Sequence, residues 1–290
     1  MKIAERILDI IGKASRNTPY FRGKDFIARN FIKPIINRID TEYVIPLKSG
    51  RMKIICRPVD WIPWTIYLYG SYIREEVEER MMLKAAEDCT TIIDVGANIG
   101  YYSIQFAETK NATIYAFEPM DYQHETLRRN LAINSISNVN TIKKIVSDQE
   151  GIERIYFSGF ENTGKSSIVK KADQHEDIDA VTLDSFCEIN NINNVDLIKI
   201  DVEGYEFKVL NGFHSMLESK KVTHVFVELL EKNLNKAGTS SREICDLLNK
   251  YDYRGYSIGV DGLMPYEIGS SESLVYFCSK GSVQELQAKE

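Results

Sequence analysis

A regular alternation of short apolar segments with longer amphipathic ones begins near residue 90 and constrains the fold more than any other feature. Short apolar strands separated by helices are typical of a parallel sheet that helices cover on both faces. Predicted strands lie at 90–95, 113–118, 139–146, 195–201, 222–229, 254–260 and 274–280, and predicted helices at 101–109, 121–134, 205–219 and 240–250. The pattern predicts an α/β fold with a Rossmann-like, mostly parallel sheet.

The residues before this alternation predict a small helical and hairpin extension. Residues 1–40 contain two amphipathic stretches, and residues 42–57 alternate around a Lys-Ser-Gly turn as a β-hairpin does. A charged helix is expected over 72–88. We therefore divide the chain into an extension, residues 1–70, and a main domain, residues 71–290.

Each of the two amphipathic stretches carries an apolar stripe at helical spacing. The first stripe is Ile3, Ile7, Ile10, Ile11 and Ala14, and the second is Phe31, Ile35, Ile36 and Ile39. Packing against the core is the simplest interpretation of such stripes. A dimer interface, a lid over an acceptor and a membrane-surface contact are the alternatives.

Charge and cysteine usage narrow the class of protein. The net charge of −6 gives no broad positive field for nucleic-acid phosphates, so a nucleic-acid partner is not expected. The five cysteines are scattered without a C-x-x-C pair, which predicts free thiols, no zinc site and a cytoplasmic location. Neither a signal peptide nor a membrane span is expected, because charged residues interrupt the apolar runs.

The run from Ile92 to Gly100 (IIDVGANIG) lies where the first core strand passes into a helix. A glycine at position 96 permits backbone angles closed to other residues and lets a ligand approach the chain. A glycine at position 100 permits close packing at the start of the helix. The N–H groups of this turn, those of Ala97 and Asn98 included, are expected to face an anionic group such as a carboxylate.

The spacing of this motif separates two kinds of cofactor. A dinucleotide site has G-x-G-x-x-G, whereas this chain has D-x-G-x-x-x-G from Asp94 to Gly100. Asp94 is unfavourable beside a pyrophosphate and suits the amino group of a methionine moiety. Glu118 ends the second strand, where an acid accepts hydrogen bonds from ribose hydroxyls. The pair favours S-adenosylmethionine over NAD, although such a turn is also a common tight connection.

Two residues at the end of the third strand are candidates for an adenine contact. Ser147 and Asp148 are short and polar, and Asp148 is placed to accept from the adenine amine while the Ser147 N–H reaches a ring nitrogen. The same pair is also typical of a simple turn before Gly151.

Several motifs together resemble the FkbM-type methyltransferases. They are DVGANIGYYS at 94–103, FEP at 117–119, VSDQEG at 146–151, TLDSF at 182–186 and KIDVEGYE at 199–206. The resemblance implies a class I methyltransferase fold, S-adenosylmethionine as the donor, and O-methylation of a hydroxyl in a sugar, glycan or natural product.

Carried onto this chain, the resemblance assigns parts of the donor to motif residues. It implies that the methionine end lies at Asp94, Gly96, Asn98 and Gly100, the ribose at Glu118, and the adenine near Ser147 and Asp148. A polar loop with Asn162, Gly164, Ser166 and Ser167 resembles a segment near the active site. The chain departs from the family before the first core strand, where Gly70-Ser71-Tyr72 is followed by Ile73 and Arg74.

Carboxylates at the ends of later strands are candidate catalytic groups. Asp201 and Glu228 end the fourth and fifth strands at the edge where Asp94 lies, so either can take the proton of an acceptor hydroxyl. Glu203 is a third candidate, with capping of the next helix as its alternative. The three acids suit a divalent cation in principle, but no metal is assigned. Lys199 is either an active-site cation or a buried ion-pair partner.

Two other functions remain open from the sequence. A nicotinamide-dependent oxidoreductase of sugars shares the fold and the ribose acid, but it predicts a G-x-G-x-x-G motif. A non-catalytic cofactor-binding module predicts no carboxylates at the ends of strands four and five. The expected acceptor is a small molecule or glycan, and a homo-oligomer is compatible with the sequence.

Overall fold

The computed structural model describes residues 3–18, 23–39, 41–58, 61–72, 76–157, 174–270 and 274–279. Its strands are β1 Tyr43–Pro46, β2 Lys53–Cys56, β3 Thr91–Val95, β4 Thr113–Phe117, β5 Val139–Ile142, β6 Ile145–Val146, β7 Gly151–Phe157, β8 Gln174–Val181, β9 Val195–Ile200, β10 Val222–Glu228, β11 Tyr253–Gly259, β12 Gly262–Pro265 and β13 Leu274–Ser279.

Eight of these strands form the central sheet, in the order β12-β11-β13-β10-β9-β3-β4-β5. The pairs β5/β4, β4/β3, β3/β9 and β9/β10 are parallel, whereas β13 runs antiparallel to both of its neighbours. A mostly parallel sheet with one late antiparallel strand inserted between two parallel ones is the class I methyltransferase arrangement. The predicted fold is therefore confirmed.

The chain reverses its direction of travel across the sheet between β3 and β9, which lie side by side although about a hundred residues separate them. The register places Asp94 opposite Lys199 and Val95 opposite Ile200. Open α/β sheets bind ligands at such a switch point, outside the carboxyl ends of the strands. The ends of β3, β4, β9 and β10 meet there.

Helices cover the sheet and agree with the predicted pattern in part. Their bounds are α1 Ile3–Asn17, α2 Lys24–Ile27, a π-helical turn Ala28–Ile32, α3 Lys33–Ile39, α4 Trp61–Tyr69, α5 Glu76–Ala86, α6 Tyr101–Phe106, α7 Asp121–Ile133, α8 Leu183–Ile189, α9 Glu206–Asn211, α10 His214–Glu218, α11 Glu231–Ala237 and α12 Ser241–Lys250. The helix predicted over 205–219 is broken at Gly212 and Phe213, and α6 ends three residues early.

Helix α4 has no counterpart among the predicted elements. Its sequence, WIPWTIYLY, is rich in aromatic and β-branched residues that on propensity alone favour a strand. Trp64, Ile66, Tyr67 and Leu68 are all buried, so tertiary packing on several sides decides the conformation. Ser15 and Arg16 of α1 bind the carbonyl oxygens of Leu68 and Tyr67 at 2.8 and 2.6 Å and hold α4 in place.

The predicted hairpin is present as β1 and β2, and it packs against α7. The Asn130 side chain accepts the Ile55 N–H at 2.6 Å and donates to the Ile99 carbonyl at 2.8 Å. Side chains of α1, the hairpin and α4 join one buried cluster with those of the sheet, for example Leu8, Ile45 and Phe226. The extension therefore shares its core with the main domain.

The predicted core-facing stripes of residues 1–40 are wrong in part. Leu8 and Ile36 are buried, but Ile7, Ile10, Phe31 and Ile35 are exposed to solvent. The side of helix α1 that carries Leu8 and Gly12 faces Tyr67. The helix approaches so closely that a Cβ at Gly12 would lie 2.8 Å from that ring. Packing against α4, rather than the count of apolar residues, selects the buried side.

The predicted strand 139–146 is two strands, because its second half leaves the central sheet. β6 pairs in parallel with β8, and β8 pairs antiparallel with β7, which makes a separate three-stranded sheet.

All five cysteines are buried free thiols. Among the described helices, none is long and apolar enough to cross a bilayer.

Candidate active site

A cavity opens at the carboxyl edge of the central sheet, at the switch point between β3 and β9. Seven of the predicted site residues line it together: Gly96, Ala97, Asn98, Glu118, Asp201, Glu203 and Glu228. Four others do not line it, namely Asp94, Gly100, Ser147 and Asp148. The structure thus brings the strand-end acids to one place and leaves the predicted adenine contacts elsewhere.

The glycine turn after β3 is shaped by two contacts that only glycine permits. Gly96 has φ +81°, and a Cβ there would lie 1.9 Å from the carbonyl oxygen of Asp201. Gly100 has φ +89°, and its Cβ would lie 2.4 Å from the Leu127 side chain. Position 96 therefore lets the loops after β3 and β9 touch, and position 100 seats α6 against α7.

The N–H groups of this turn donate to acceptors within the protein, and the carboxyl group that one of them meets is that of Glu118. Those of Gly96 and Ala97 donate to the Phe117 carbonyl at 3.0 and 2.9 Å. The remaining three donate to a side chain or carbonyl nearby: Asn98 to Glu118, Ile99 to the Asn98 side chain, and Gly100 to the Ala97 carbonyl. The turn is therefore held together by its own hydrogen bonds, and its side chains and the sides of its peptide groups contact the cavity.

Glu118 ties this loop to the end of β4. One of its carboxyl oxygens accepts the Asn98 N–H at 2.9 Å, and the other accepts the Met120 N–H at 3.0 Å. Burial raises the pKa of Glu118 to about 7, against the two N–H bonds that favour the charged form. A diol that donates hydrogen bonds to this carboxyl would favour its ionised state. The predicted ribose acid is therefore in the cavity with its orientation fixed.

Asp94 lies behind the cavity wall and is fully buried. Its Oδ2 accepts the Ser103 hydroxyl at 2.5 Å, while its Oδ1 has no hydrogen-bond partner. Burial raises the pKa of Asp94, and the nearby Lys199 ammonium opposes that rise. An unpartnered buried carboxyl oxygen is costly, so it marks a place where a donor is missing.

Lys199 is the buried cation at the centre of the acidic strand ends. Its side chain is 3% exposed and donates to Asp201 Oδ2 at 3.0 Å. The ammonium also lies over the Tyr102 ring, 4.9 Å from its centroid. The ion-pair alternative is the one that the structure shows, and the pair holds the Asp201 carboxylate at the cavity wall.

The turn after β9 contains two acids with different tasks. Glu203 has φ +55° and accepts the Asn233 amide at 2.6 Å, while it also lines the cavity. The N–H groups of Val202 and Gly204 instead donate to Glu206, at 3.2 and 3.1 Å. Burial raises the pKa of Glu206 to about 7. Glu206, which the sequence analysis did not select, therefore binds the N–H groups of this turn, and α9 has no side-chain cap at its N-terminus.

Ser147 and Asp148 belong to a polar network on the outer side of β6. The Ser147 N–H donates to the Val181 carbonyl at 3.0 Å, so it is engaged by β8 and does not face the cavity. The Ser147 hydroxyl donates to Glu153, and Asp148 lies 3.8 Å from the Lys208 ammonium. The residues just before them, Lys144 to Val146, line the cavity instead.

Other lining residues were not selected from the sequence. Apolar ones are Phe117, Met120, Val146 and Ile155, and tyrosines are Tyr72, Tyr101, Tyr102 and Tyr205. Of the segment that departs from the family, Tyr72 lines the cavity, and its N–H donates to the Tyr101 hydroxyl at 3.1 Å.

Asn162, Gly164, Ser166 and Ser167 lie outside the described residues. Within the described ranges, no group of three or more His, Cys, Asp or Glu side chains is arranged to hold a metal ion, and the three cavity acids are held by Lys199, Asn233 and other neighbours instead.

Residues 94–255, more than half of the chain, match the family model described as the methyltransferase FkbM domain. The chain belongs to the FkbM methyltransferase family. The matched region begins at the acid before the glycine turn and ends in β11, so it contains every strand end that lines the cavity.

Curated relatives agree with this family. Methyltransferase 1 of Beauveria bassiana is 29% identical over 146 residues, covering 43% of this chain and 59% of that protein. Hexuronic acid methyltransferase AglP of Haloferax volcanii is 27% identical over 171 residues, covering 59% of this chain and 66% of that protein. The chain thus spans between 59% and 66% of the length of these two relatives.

Among solved structures, a methyltransferase of Agrobacterium tumefaciens has a TM-score of 0.45 at 11% identity, covering 81% of this chain and 69% of that one.

S-adenosylmethionine is the cofactor of this family, and the residues present fit it. A cationic, adenosine-bearing ligand needs an acid for the ribose, apolar walls for the base and negative charge near the sulfonium. Glu118, the pair Met120 and Val146, and Asp201 with Glu228 supply these three needs around one cavity.

Proposed function

We propose that this protein transfers a methyl group from S-adenosylmethionine to a hydroxyl of a sugar, a glycan or a related natural product. The observation that carries the proposal is the convergence of four strand-end carboxylates on one cavity. Glu118 would serve the cofactor, and Asp201, Glu203 and Glu228 would serve the acceptor. The relative named as a hexuronic acid methyltransferase supports a sugar as the acceptor class.

On the cofactor side, Glu118 would hold the ribose, because its carboxyl is fixed by Asn98 and Met120 before any ligand arrives. Met120, Val146 and Ile155 would enclose the adenine. β8, Glu153 and Lys208 already engage Ser147 and Asp148. In this proposal the two residues therefore act on the adenine indirectly, by positioning the neighbouring residues that contact it. Asp94 would act from behind the glycine turn, as a negative charge near the methionine end.

On the acceptor side, S-adenosylmethionine supplies an electrophilic methyl group when bound, and the protein must orient a hydroxyl and take its proton. A sugar hydroxyl is a weak acid, so a carboxylate beside it is useful. Lys199 fixes the direction of Asp201 through a 3.0 Å bond and leaves this carboxyl group at the cavity wall as a hydrogen-bond acceptor. Asp201 would therefore orient the hydroxyl, and either Asp201 or Glu228 would accept the proton.

Binding of the cofactor and turnover are tested separately. Titration calorimetry with S-adenosylhomocysteine should show binding by the wild type and a ten-fold to hundred-fold loss in Glu118→Ala, since a charged hydrogen bond contributes about 1.5–3 kcal/mol. Glu125→Ala is the matched control, because that acid lies exposed on α7. Wild-type affinity in a folded Glu118→Ala protein would refute the cofactor site.

Turnover is measured with radiolabelled donor and a panel of neutral sugars, uronic acids and their glycosides. Asp201→Asn and Glu228→Gln keep shape and remove charge, so S-adenosylhomocysteine should still bind, while kcat for at least one of them falls about 10²-fold or more. The exposed Glu218→Gln serves as the control variant. Unchanged kcat in both donor-saturated variants would leave orientation, rather than proton removal, as the role of these acids.

A further inference from the structure

The charge of the chain is divided unevenly along its length. Residues 1–40 contain nine Lys and Arg against four Asp and Glu, whereas the remaining residues contain 27 against 38. The first segment is therefore basic although the whole protein is acidic. Lys24 and Arg16 of this segment are turned inward, but Arg6, Arg29 and Arg38 are exposed, and charge asymmetry of this kind indicates a local surface for an anionic partner.

Helix α1 combines this basic charge with exposed apolar side chains. Ile10 is 65% exposed on the side opposite the buried Leu8, and Ile7, about 100° around the helix from Leu8, is 51% exposed. At 100° per residue, Arg6 lies one turn before Ile10 and Lys13 one turn after it on the same exposed side, with Lys13 ion-paired to Asp9 at 2.7 Å. Charged residues usually occupy the solvent face of a surface helix, so two exposed isoleucines between basic residues are unusual.

The helical segment α2 to α3 repeats this combination. Phe26, Ile27, Phe31 and Ile35 are exposed, with values of 65% for Phe26 and 64% for Phe31, while Ala28 and Ile36 face the core. The exposed Arg29 and Arg38 lie in the same segment. Two neighbouring helical segments thus each present aliphatic or aromatic groups beside guanidinium or ammonium groups.

We propose that these two segments, α1 and α2 to α3, form a surface that docks onto an anionic lipid bilayer. Helices that lie in a membrane interface carry apolar side chains flanked by Lys and Arg, and anionic lipid head groups attract the basic ones. Nucleic acid would explain the charge but not the exposed isoleucines and phenylalanines. A second copy of the chain is disfavoured, because an isologous contact would place this basic surface against itself.

The docking surface is tied mechanically to the cavity. Ser15 and Arg16 of α1 bind carbonyl oxygens in α4, and the chain leaves α4 through Gly70 to reach Tyr72 at the cavity wall. The inference does not depend on which acceptor is methylated.

Vesicle co-sedimentation of the full chain tests the proposal. The protein should sediment with vesicles of phosphatidylcholine mixed with phosphatidylglycerol, should stay in solution with phosphatidylcholine alone, and should be released by added salt, since surface charges are screened. Free phosphatidylglycerol head group, glycerol phosphate, should not compete at comparable phosphate concentration, because it offers no apolar layer.

Matched variants locate the surface. Ile10→Ser with Phe31→Ser removes apolar groups and should lower the partition constant about ten-fold or more. Ile189→Ser with Val260→Ser is the control, since those side chains are 72% and 85% exposed elsewhere. Arg6→Gln with Arg38→Gln should lower partition about thirty-fold, at roughly five-fold per charge. Lys232→Gln with Lys236→Gln, on α11, is the charge control.

All variants should bind S-adenosylhomocysteine as the wild type does, which shows that they are folded and separates this test from that of the proposed function. The proposal is overturned if the wild type does not sediment with anionic vesicles, or if the α1 and α3 variants sediment as well as their controls. It is also overturned if light scattering shows a dimer that the Ile10→Ser, Phe31→Ser variant loses, because the surface would then belong to a second copy.

Discussion

Replacing Glu118 by glutamine is expected to stabilise the ligand-free protein relative to wild type progressively as the pH rises. The Glu118 carboxyl is buried, and burial raises its pKa to about 7 from a reference value of 4.5. The folded protein therefore keeps the proton at pH values where the unfolded chain has released it. In that window the folded state binds more protons, so the free energy of unfolding of the wild type falls with rising pH.

The size of the effect follows from the same two values. A shift of about 2.5 pKa units corresponds to about 3 kcal/mol, lost between about pH 4.5 and pH 7 and constant above that range. Glutamine does not titrate and lacks this loss. Its amide NH₂ must face one of the two N–H donors, from Asn98 or Met120, which costs about 1–3 kcal/mol at every pH. The cost of the misplaced amide is independent of pH, whereas the stability that the variant gains relative to wild type grows with pH.

Urea unfolding of both proteins across about pH 4.5 to 8 measures this difference, with the donor removed beforehand. The difference in free energy of unfolding between variant and wild type should rise by about 3 kcal/mol across the range. Glu206, whose pKa burial also raises to about 7, titrates in both proteins and cancels. The exposed Glu125→Gln is the control and should give a flat difference. A flat difference for Glu118→Gln would refute the reasoning.

Three further outcomes are expected. Gly96→Ala should abolish S-adenosylhomocysteine binding and lower the melting temperature more than Gly50→Ala does. Gly50 is the control because it also has a positive φ, +73°, but a Cβ there would meet nothing within 4 Å. Equal effects of the two variants in calorimetry and thermal melts would contradict the close approach at Gly96. The five cysteines should not react with Ellman's reagent until denaturant is added, since all are buried and burial raises the pKa of Cys187 to about 12. Asn130→Ala should cost about 2–4 kcal/mol in urea unfolding, because it removes bonds to Ile55 and Ile99; a loss below about 1 kcal/mol would argue against that anchor.

The parts of the site that follow from local sequence were predictable. Asp94, Gly96 and Glu118 each sit at the end of a short apolar strand, and parallel strands bring their carboxyl ends to one edge. Asp201 and Glu228 follow from the same argument. The convergence of Gly96, Glu118, Asp201 and Glu228 needed no knowledge of long-range packing beyond the strand order.

The parts that failed depend on contacts between distant segments. Ser147 was expected in the cavity, but β6 pairs with β8, about thirty residues further on, and this pairing takes its N–H away. The apolar residues of α4 form a helix because neighbours enclose them, which composition does not reveal. In α1, the choice of Leu8 over Ile10 as the buried residue is made by Tyr67 and the rest of α4.

The surplus of carboxylates in the cavity bears on how the protein would exchange its cofactor. Among the described lining residues, four carry carboxyl groups, namely Glu118, Asp201, Glu203 and Glu228, and two carry ammonium groups, Lys144 and Lys199. Such a lining attracts a ligand that carries an extra positive charge more strongly than a neutral ligand of the same shape. A sulfonium loses its charge when its methyl group leaves. The reaction itself would therefore weaken the hold on the spent molecule and favour its replacement by fresh cofactor.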